Sequence, residues 1–582
     1  MSTNKPASEL RQAINSLQPF FKQAAWFSVF SSLLVLAPSA YMLEVYDRVV
    51  NSRNHMTLAM LTLLVLAAYA LMEVLEWVRS DVLHEASLAF DRRLSGRVFT
   101  AIFNASLYRM VGGSAQSMND FKTVRDFLSS PVLTGLMEAP ISLVCLVLIF
   151  AISPVLGWAA VVAAILQTLV GWLNERSTQP PLLAANRSAI ASQRYADGTL
   201  RNAQVIESMG MLRDIHRRWI GKQREFLDLQ ALASDRSGFY QSLSKFLQNT
   251  ISSGLLGLGA WLLLRNQLNG GAAFMIVGSI LGGRALAPLV QIVAQWQVVV
   301  NARDAYTRLD TLLTTVAHQL PNMPLPAPQG HLLVEHLMAA APGSNVAIVR
   351  GVSFALQPGE VLAVIGPSAS GKTSLARLLV GLWPPMAGSV RLDGADVFTW
   401  HKSELGPHMG YLPQGVELFD GSIADNIARF GEADQAKVEA AARAVGLHEF
   451  ILALPQGYDN PVGSEGAMLS GGQRQRVGLA RAIYGNPAFV VLDEPNSSLD
   501  EEGDTALAQA IAQLKARGTT FVIMTHRTSV LGVTDKMLVM RDGQAQIFGP
   551  RDDVLKALAD AQAKAAQGAA AVATPEPEPA SA

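Results

Sequence analysis

Cysteine is nearly absent from this chain. The one cysteine in 582 residues, Cys145, excludes an intrachain disulfide and a cysteine-based zinc cluster. It sits in an apolar run and reads as a small apolar side chain. Charge is scarce too. Charged residues make up 16% of the chain and hydrophobic residues 50%. Soluble domains carry about 25% charged residues, so part of the chain is not built to meet water. A net charge of −1 leaves no basic footprint for nucleic acid. Nor do the first residues read as a cleavable export signal. Residues 1–23 are polar and mixed in charge, and the apolar run that starts near Ala24 has no small-residue cleavage site leading into a soluble domain.

What is present divides the chain in two. Leu320–Gly330 has four prolines in eleven residues and reads as a linker. We read residues 1–23 as an N-terminal segment, 24–319 as a helical membrane region, 320–330 as the linker and 331–557 as a soluble α/β domain. Residues 558–582, Ala-rich and then Pro-Glu-rich, cannot bury enough apolar surface to fold and are expected to be disordered. A spanning helix needs about 20 apolar residues, because roughly 30 Å of hydrocarbon is crossed at about 1.5 Å per residue. Six stretches come close: Ala24–Leu43, Thr57–Val78, Pro131–Ile152, Ser153–Leu173, Phe246–Leu264 and Ala272–Val293. Buried helices of a soluble core are the alternative, and six of this length weigh against it. The fold class is therefore an all-α domain of six transmembrane helices joined to an α/β domain.

The links Arg79–Ser130 and Asn174–Lys245 are long and hold Arg92, Arg93, Arg97, Arg109, Arg201, Arg217 and Arg218. Their charge puts them in the cytoplasm with both chain ends, while Arg48 and Arg53 count slightly against this. Val78–Tyr108 has no proline and one glycine, and Gln193–Leu243 has no proline. Both read as helices that continue past the bilayer, with turns near Asn104–Ser117 and Thr199–Leu212.

In the second half, Val361–Ile365 reads as a fully buried parallel strand. It is followed by Gly366, Pro367, Ser368, Ala369, Ser370, Gly371, Lys372, Thr373 and Ser374, which fit the P-loop pattern G-x-x-x-x-G-K-[ST]. Glycines let backbone amides approach phosphates, Lys372 reaches the β and γ phosphates of ATP, and the Thr373 hydroxyl ligates Mg²⁺. Phe489–Asp493 is a second buried strand, expected beside the first, that ends in Asp493 and Glu494. Asp493 is placed to hold Mg²⁺ and Glu494 to polarise a water. Two adjacent acids alone could be a solvated turn. After a buried strand and beside a P-loop they read as a hydrolytic site.

At this point the chain resembles the ATP-binding cassette transporter family. Leu469, Ser470, Gly471, Gly472 and Gln473 are identical to the family signature. Gln414 follows Tyr-Leu-Pro as in the family's glutamine loop. Ser498, Leu499 and Asp500 resemble the D-loop, and His526 after Thr520–Met524 resembles the switch histidine. The resemblance implies a homodimer in which each signature loop contacts the ATP bound to the opposite subunit, through Ser470 and the amides around Gly472. His526 would hold Glu494 and the water in line, and Gln414 would ligate Mg²⁺. Two departures stand out. The position of the usual adenine-stacking aromatic is Ala340, which leaves base stacking in doubt. In Asn460–Gly466, Pro461 replaces a glutamate that often touches the neighbouring coupling turn.

The whole plan is similar to type I secretion ATPases of the protease and lipase exporter subfamily, on Ala37–Asn54 and Gly366–Asp396. That implies a bacterial inner-membrane, multi-pass protein exporting polypeptides with an uncleaved C-terminal signal. It also implies a periplasmic adaptor and an outer-membrane channel as partners. With 23 residues before the first span, a peptidase domain is not expected. A lipid or drug exporter and a non-transporting regulator or channel are the other readings, and the intact Glu494 and His526 argue against the last. Glu138 and Arg284 are ionisable within spans and costly in lipid. They are expected to face the translocation path or each other, with local pairing at a helix end as the alternative. Lys372→Ala is expected to weaken ATP binding and stop hydrolysis. Normal ATPase turnover by the purified variant would remove the P-loop assignment.

Overall fold

A computed structural model describes residues 8–560 apart from 111, 269–270, 317–323, 345, 464–465 and 528. The start of the linker and the tail beyond residue 560 lie outside the described residues. Two compact units, Met1–Ala317 and His318–Ala582, are treated separately.

The first unit is helical: α1 Glu9–Ser16, α2 Gln18–Leu34, α3 Ala37–Glu44, α4 Val50–Ser52, α5 His55–Leu107, α6 Ala115–Phe127, α7 Pro131–Ile152, α8 Pro154–Leu200, α9 Ala203–Ser208, α10 Leu212–Leu264, α11 Gly271–Ala294 and α12 Trp296–Thr315. All six apolar stretches fall on helices. Five helices among the described residues are long and apolar enough to cross a membrane. The stretch Phe246–Leu264 ends α10, where Gln248, Asn249 and several serines and glycines dilute its hydropathy, and α10 packs along α8 and α11. α5 and α10 have 53 residues each. That is roughly 80 Å of helix, far more than the roughly 30 Å of a bilayer core.

Local chemistry sets the boundaries. Arg53 takes a left-handed φ of 53° and Asn54 caps α5, accepting from Met56 N and Thr57 N. Pro131 and Pro154 open α7 and α8, where a missing N–H costs nothing. α5 ends at Leu107 and α8 at Leu200, inside the stretches where turns are expected. α8 runs unbroken through Pro180 and Pro181.

Polar groups in this unit are mostly matched. Glu138 and Arg284 do not face each other: the Glu138 carboxylate meets Arg79 at 2.5 Å, tying α7 to α5, and Arg79 also donates to Ser28 on α2. Arg79 enters the unit with its own partner, so the pair follows local need and leaves Arg284 exposed on α11. A separate apolar cluster joins α1, α5, α6 and α12 through Leu10, Ala13, Phe90, Phe121, Leu309 and Leu312. Arg308 grips the buried Asp120 with two bonds of 2.7 and 2.8 Å, and Arg97 pairs with Glu9 at 2.8 Å.

The second unit is α/β. Its elements are β1 Leu332–Ala340, β2 Ala347–Leu356, β3 Val361–Ile365, α13 Lys372–Leu379, β4 Ala387–Leu392, β5 Ala395–Asp396, α14 Lys402–Leu405, β6 Met409–Leu412, α15 Ile423–Ile427, α16 Gln435–Ala444, α17 His448–Leu452, α18 Gly471–Ile483, β7 Phe489–Asp493, α19 Glu501–Ala516, β8 Thr520–Met524, β9 Lys536–Arg541 and β10 Gln544–Pro550. A four-stranded antiparallel sheet runs β2-β1-β4-β5, and a six-stranded sheet runs β10-β9-β3-β8-β7-β6. All neighbours in the larger sheet are parallel except β10 on β9.

One expectation is corrected here. β7 is not beside β3, because β8 lies between them and pairs with both. The central strands β3, β8 and β7 are buried on both faces, so they read as continuous apolar runs. On β8, Phe521 and Ile523 face one core while Val522 and Met524 face the other. Phe521→Ala in this central strand should cost about 3–5 kcal/mol. A thermal melt of the purified protein should show an earlier cassette transition, and an unchanged one would remove Phe521 from the core.

Candidate functional site

Every strand that matters delivers its chemistry at its carboxyl end. β3 leads into the loop Gly366–Gly371, and α13 begins at Lys372. Gly366 has φ 158° and Gly371 φ 97°, and a Cβ on Gly366 would lie 2.2 Å from Met540 O. Only glycine fits there, so the loop can keep its amides turned inward. The loop, Lys372, Thr373 and Ser374 line a cavity of about 460 Å³ with Ile348, Gln414, Glu494 and His526. A second depression, about 590 Å³ beside Glu207, Gly210 and His216, contains no phosphate-binding loop.

Two charges of opposite sign are buried here, Lys372 in the cavity lining and Asp493 beside the lining residues Thr373 and Glu494. Lys372 is 6% exposed and donates from Nζ to Gly366 O at 2.8 Å and Pro367 O at 3.0 Å. Burial lowers its pKa, while Glu494 and Asp493 pull it back up. Asp493 is 1% exposed, and the Thr373 hydroxyl is the one hydrogen-bonding neighbour of its carboxylate among the described residues. Burial raises its pKa first; nearby Thr373, Arg377 and Lys372 work against that. The Ser370 hydroxyl is buried without a partner. Unmatched buried polar groups around a glycine-rich loop are what a phosphate and a hard cation would satisfy.

Glu494, one residue on, turns out of the strand with φ 52°, a conformation that costs an L-residue about 1–2 kcal/mol. The reward is direction: its carboxylate reaches the cavity between two loops. Gln414 Nε2 donates to one oxygen at 2.9 Å, and His526 Nε2 lies 3.2 Å from the other. Gln414 follows β6 and His526 follows β8, the two strands flanking β7.

The signature residues stand elsewhere. Leu469, Ser470, Gly471, Gly472 and Gln473 do not line the cavity of their own chain. Ser470 caps α18 reciprocally with Gln473, at 3.3 and 2.8 Å. A Cβ on Gly472 would lie 2.9 Å from Ser498 O, so glycine permits close approach of the D-loop. Asp500 caps α19 and pairs with Arg476 at 2.6 Å. Ala340 ends β1 away from the cavity, and Ile348 supplies apolar surface to its wall instead. Pro461 bridges to Ser422, in a loop whose residues 464 and 465 lie outside the described residues.

Sequence reading missed Gln475. Its Nε2 donates to Glu494 O, Pro495 O and Ser497 Oγ, and its Oε1 accepts from Ser498 N at 2.8 Å. A buried glutamine just after Gln473 is the only trace of this in the sequence.

The chain matches the family model "ABC transporter transmembrane region" over residues 24–282 and the model "ABC transporter" over residues 349–497. It is 42% identical over 530 residues to the type I secretion system ATP-binding protein PrsD of Rhizobium meliloti (strain 1021), covering 91% of each chain. Identity to the toxin RTX-I translocation ATP-binding protein of Actinobacillus pleuropneumoniae is 27% over 559 residues, covering 93% of this chain and 77% of that one. Among solved structures, a bacterial Atm1-family ABC exporter with ATP bound shares the fold with a TM-score of 0.82. Its identity is 22% over 97% of this chain and 99% of the other.

Asp493 supplies a pH test. Its folded-state pKa is raised, so the unliganded fold is penalised once pH climbs through that value and is free of the penalty below the ordinary carboxylate range. Asp493→Asn should therefore melt later than the parent at pH 7 without nucleotide, and the gain should vanish as pH falls toward 4. An earlier melt at pH 7 would contradict the burial penalty on this carboxylate.

Proposed function

The chain belongs to the ATP-binding cassette transporter family, in its type I secretion branch, and from that premise we propose how it works: as a homodimeric ATP-hydrolysing exporter of unfolded polypeptides. The observation that carries the mechanism is the position of Glu494, held by Gln414 and His526 at the mouth of the phosphate loop while the signature loop lies outside that cavity.

ATP enters the cavity as substrate. Lys372 exchanges its two loop carbonyls for phosphate oxygens, and the loop amides take the rest. The donor set fits Mg²⁺: the Asp493 carboxylate and the Thr373 hydroxyl beside it are both hard oxygen donors, and Gln414 keeps its amide oxygen free of Glu494. Bound there, the ion would neutralise charge on the β and γ phosphates. Glu494 accepts a proton as water attacks the γ-phosphorus and the bond to the bridging oxygen breaks. His526 holds Glu494 in line from the other side. One chain leaves the γ-phosphate open toward the dimer face. The partner's Leu469–Gln473 loop closes it, with Ser470 and the amide of Gly472 as donors and the Ser498–Asp500 loop beside them. Hydrolysis removes the shared contact and the two cassettes part.

The names of two relatives, one for type I secretion and one for translocating an RTX toxin, support the reading of cargo and partners. We assign to this chain a secreted protein with an uncleaved C-terminal signal, a periplasmic adaptor and an outer-membrane channel. Its place is the bacterial inner membrane, with the cassette and both chain ends in the cytoplasm, on the side of the arginine-rich links. Arg284, exposed on α11, is the better candidate for the translocation path. Glu138 is committed to Arg79.

Glu494→Gln keeps the phosphate contacts and removes the proton acceptor. With ATP and Mg²⁺ the purified variant should stop turning over and remain as a closed dimer, detected by cross-linking across the cassettes. ATPase activity of the parent should rise with a polypeptide carrying a type I C-terminal signal and not with lipid. A variant that hydrolyses normally would end the mechanism; a response to lipid alone would end the cargo assignment.

A further inference from the structure

Between the Gln414 loop and the helical layer of the cassette, the chain makes a turn that its own residues resist. Ser422 and Asp425 cap α15 reciprocally. The buried Asn426 donates to Phe419 O and Ser422 O and accepts from Phe419 N, all within 2.9–3.0 Å. Directly after the helix, Arg429 (φ 60°) and Phe430 (φ 58°) both adopt the left-handed region. Two consecutive non-glycine residues hold that conformation only where the surroundings over-determine it.

The surroundings are four backbone carbonyls. Arg429 turns inward and donates from Nε to Arg481 O at 3.0 Å and from Nη2 to Ala482 O at 3.1 Å. Its Nη1 donates to Gly406 O at 2.6 Å and Met409 O at 3.0 Å. Among the described residues no carboxylate pairs with it. Arg481 and Ala482 lie in the last turn of α18, where the helix dipole favours a cation. The N-terminus of that helix is Ser470. Gly406 and Met409 lead into β6, which ends just before Gln414. One side chain thus joins the far end of the signature helix to the strand that presents Gln414. It does not line the nucleotide cavity.

We propose that Arg429 is a positioning residue for ATP-driven closure. It sets the angle of α18 against β6, and so the position at which Ser470 and Gly472 are offered to the partner's triphosphate while Gln414 serves the chain's own site. The proposal rests on the reading that the Leu469–Gln473 loop completes the partner's site. A lysine cannot replace it fully, since one ammonium has three donors at a point where the guanidinium spreads five over a plane.

The test uses full-length protein with Arg429→Met, which keeps bulk but removes the donors, and Arg429→Lys, each also combined with Glu494→Gln. Ser470→Ala is the control. Binding of trinitrophenyl-ATP to the unclosed protein should change by less than about twofold, while kcat falls by at least about tenfold with KM little altered. The cross-linked closed dimer of Glu494→Gln should be lost with methionine and partly kept with lysine. Parental kcat and trapping in the methionine variant would overturn the proposal. So would parallel loss of nucleotide binding, melting temperature and turnover in both variants, since Arg429 would then serve folding alone. If Ser470→Ala still traps the dimer, the clamp reading itself fails; if it does not while Arg429→Met does, only the role of Arg429 fails.

Discussion

Asp493 is a carboxylate buried at the end of a central strand, with little beyond the Thr373 hydroxyl to match its charge. Such a group works against the fold that holds it. It stays because β7, buried on both faces, lies between β8 and β6, where the backbone has no freedom to carry the side chain elsewhere. Lys372 meets the same burial differently, turning back to two carbonyls of its own loop. Lys372 is thus matched within its own loop, while Asp493 keeps acceptor capacity for a cation. A triphosphate gives Lys372 better acceptors, and a divalent ion relieves Asp493. Binding to the folded state alone then stabilises it by mass action.

Strand order does the rest. Because β8 and β6 flank β7, the loops after them bring His526 and Gln414 to opposite sides of Glu494. A carboxylate gripped on both sides needs little further ordering before it accepts a proton, which is the use of a preorganised site. The left-handed backbone at Glu494 belongs to the same arrangement, with strain placed at the residue whose direction matters most. In the membrane unit the logic is inverted. Glu138 is matched by Arg79 and Asp120 by Arg308, each across neighbouring helices, while Arg284 stays exposed on α11.

The P-loop, Asp493, Glu494, Gln414 and His526 were legible because each depends on a short string at the end of a buried strand, and strand and string are contiguous. Five of the six apolar stretches lie on helices long and apolar enough to cross a membrane, and were legible because length and hydropathy are local sums. What escaped depends on distant pairing. β8 between β3 and β7 is a fact of topology with no local trace. Arg79 and Glu138 lie 59 residues apart and meet only when α5 and α7 pack. Arg429 and Gln475 act on backbone carbonyls, and a carbonyl looks the same in every sequence. The passage of α8 through Pro180 and Pro181 escaped a rule about helix breakers. Ser177 O, which Pro181 cannot bond, accepts from Arg236 Nη1 on α10 at 3.0 Å.

Under the proposed clamp, the loop that each chain lends and the site that it keeps are not independent parts. Gln475 lies on α18 two residues beyond Gln473, and its amide bonds the carbonyls of Glu494 and Pro495 while accepting from Ser498 N. Arg476, the next residue, holds Asp500. The signature helix, the turn that carries the hydrolytic carboxylate and the D-loop therefore share one hydrogen-bonded frame. If the signature helix serves the other nucleotide, as proposed, this frame couples the two sites through Gln475, and neither would open without disturbing the other. A symmetric dimer with one intact copy of every motif per chain is the smallest assembly in which that frame closes on itself.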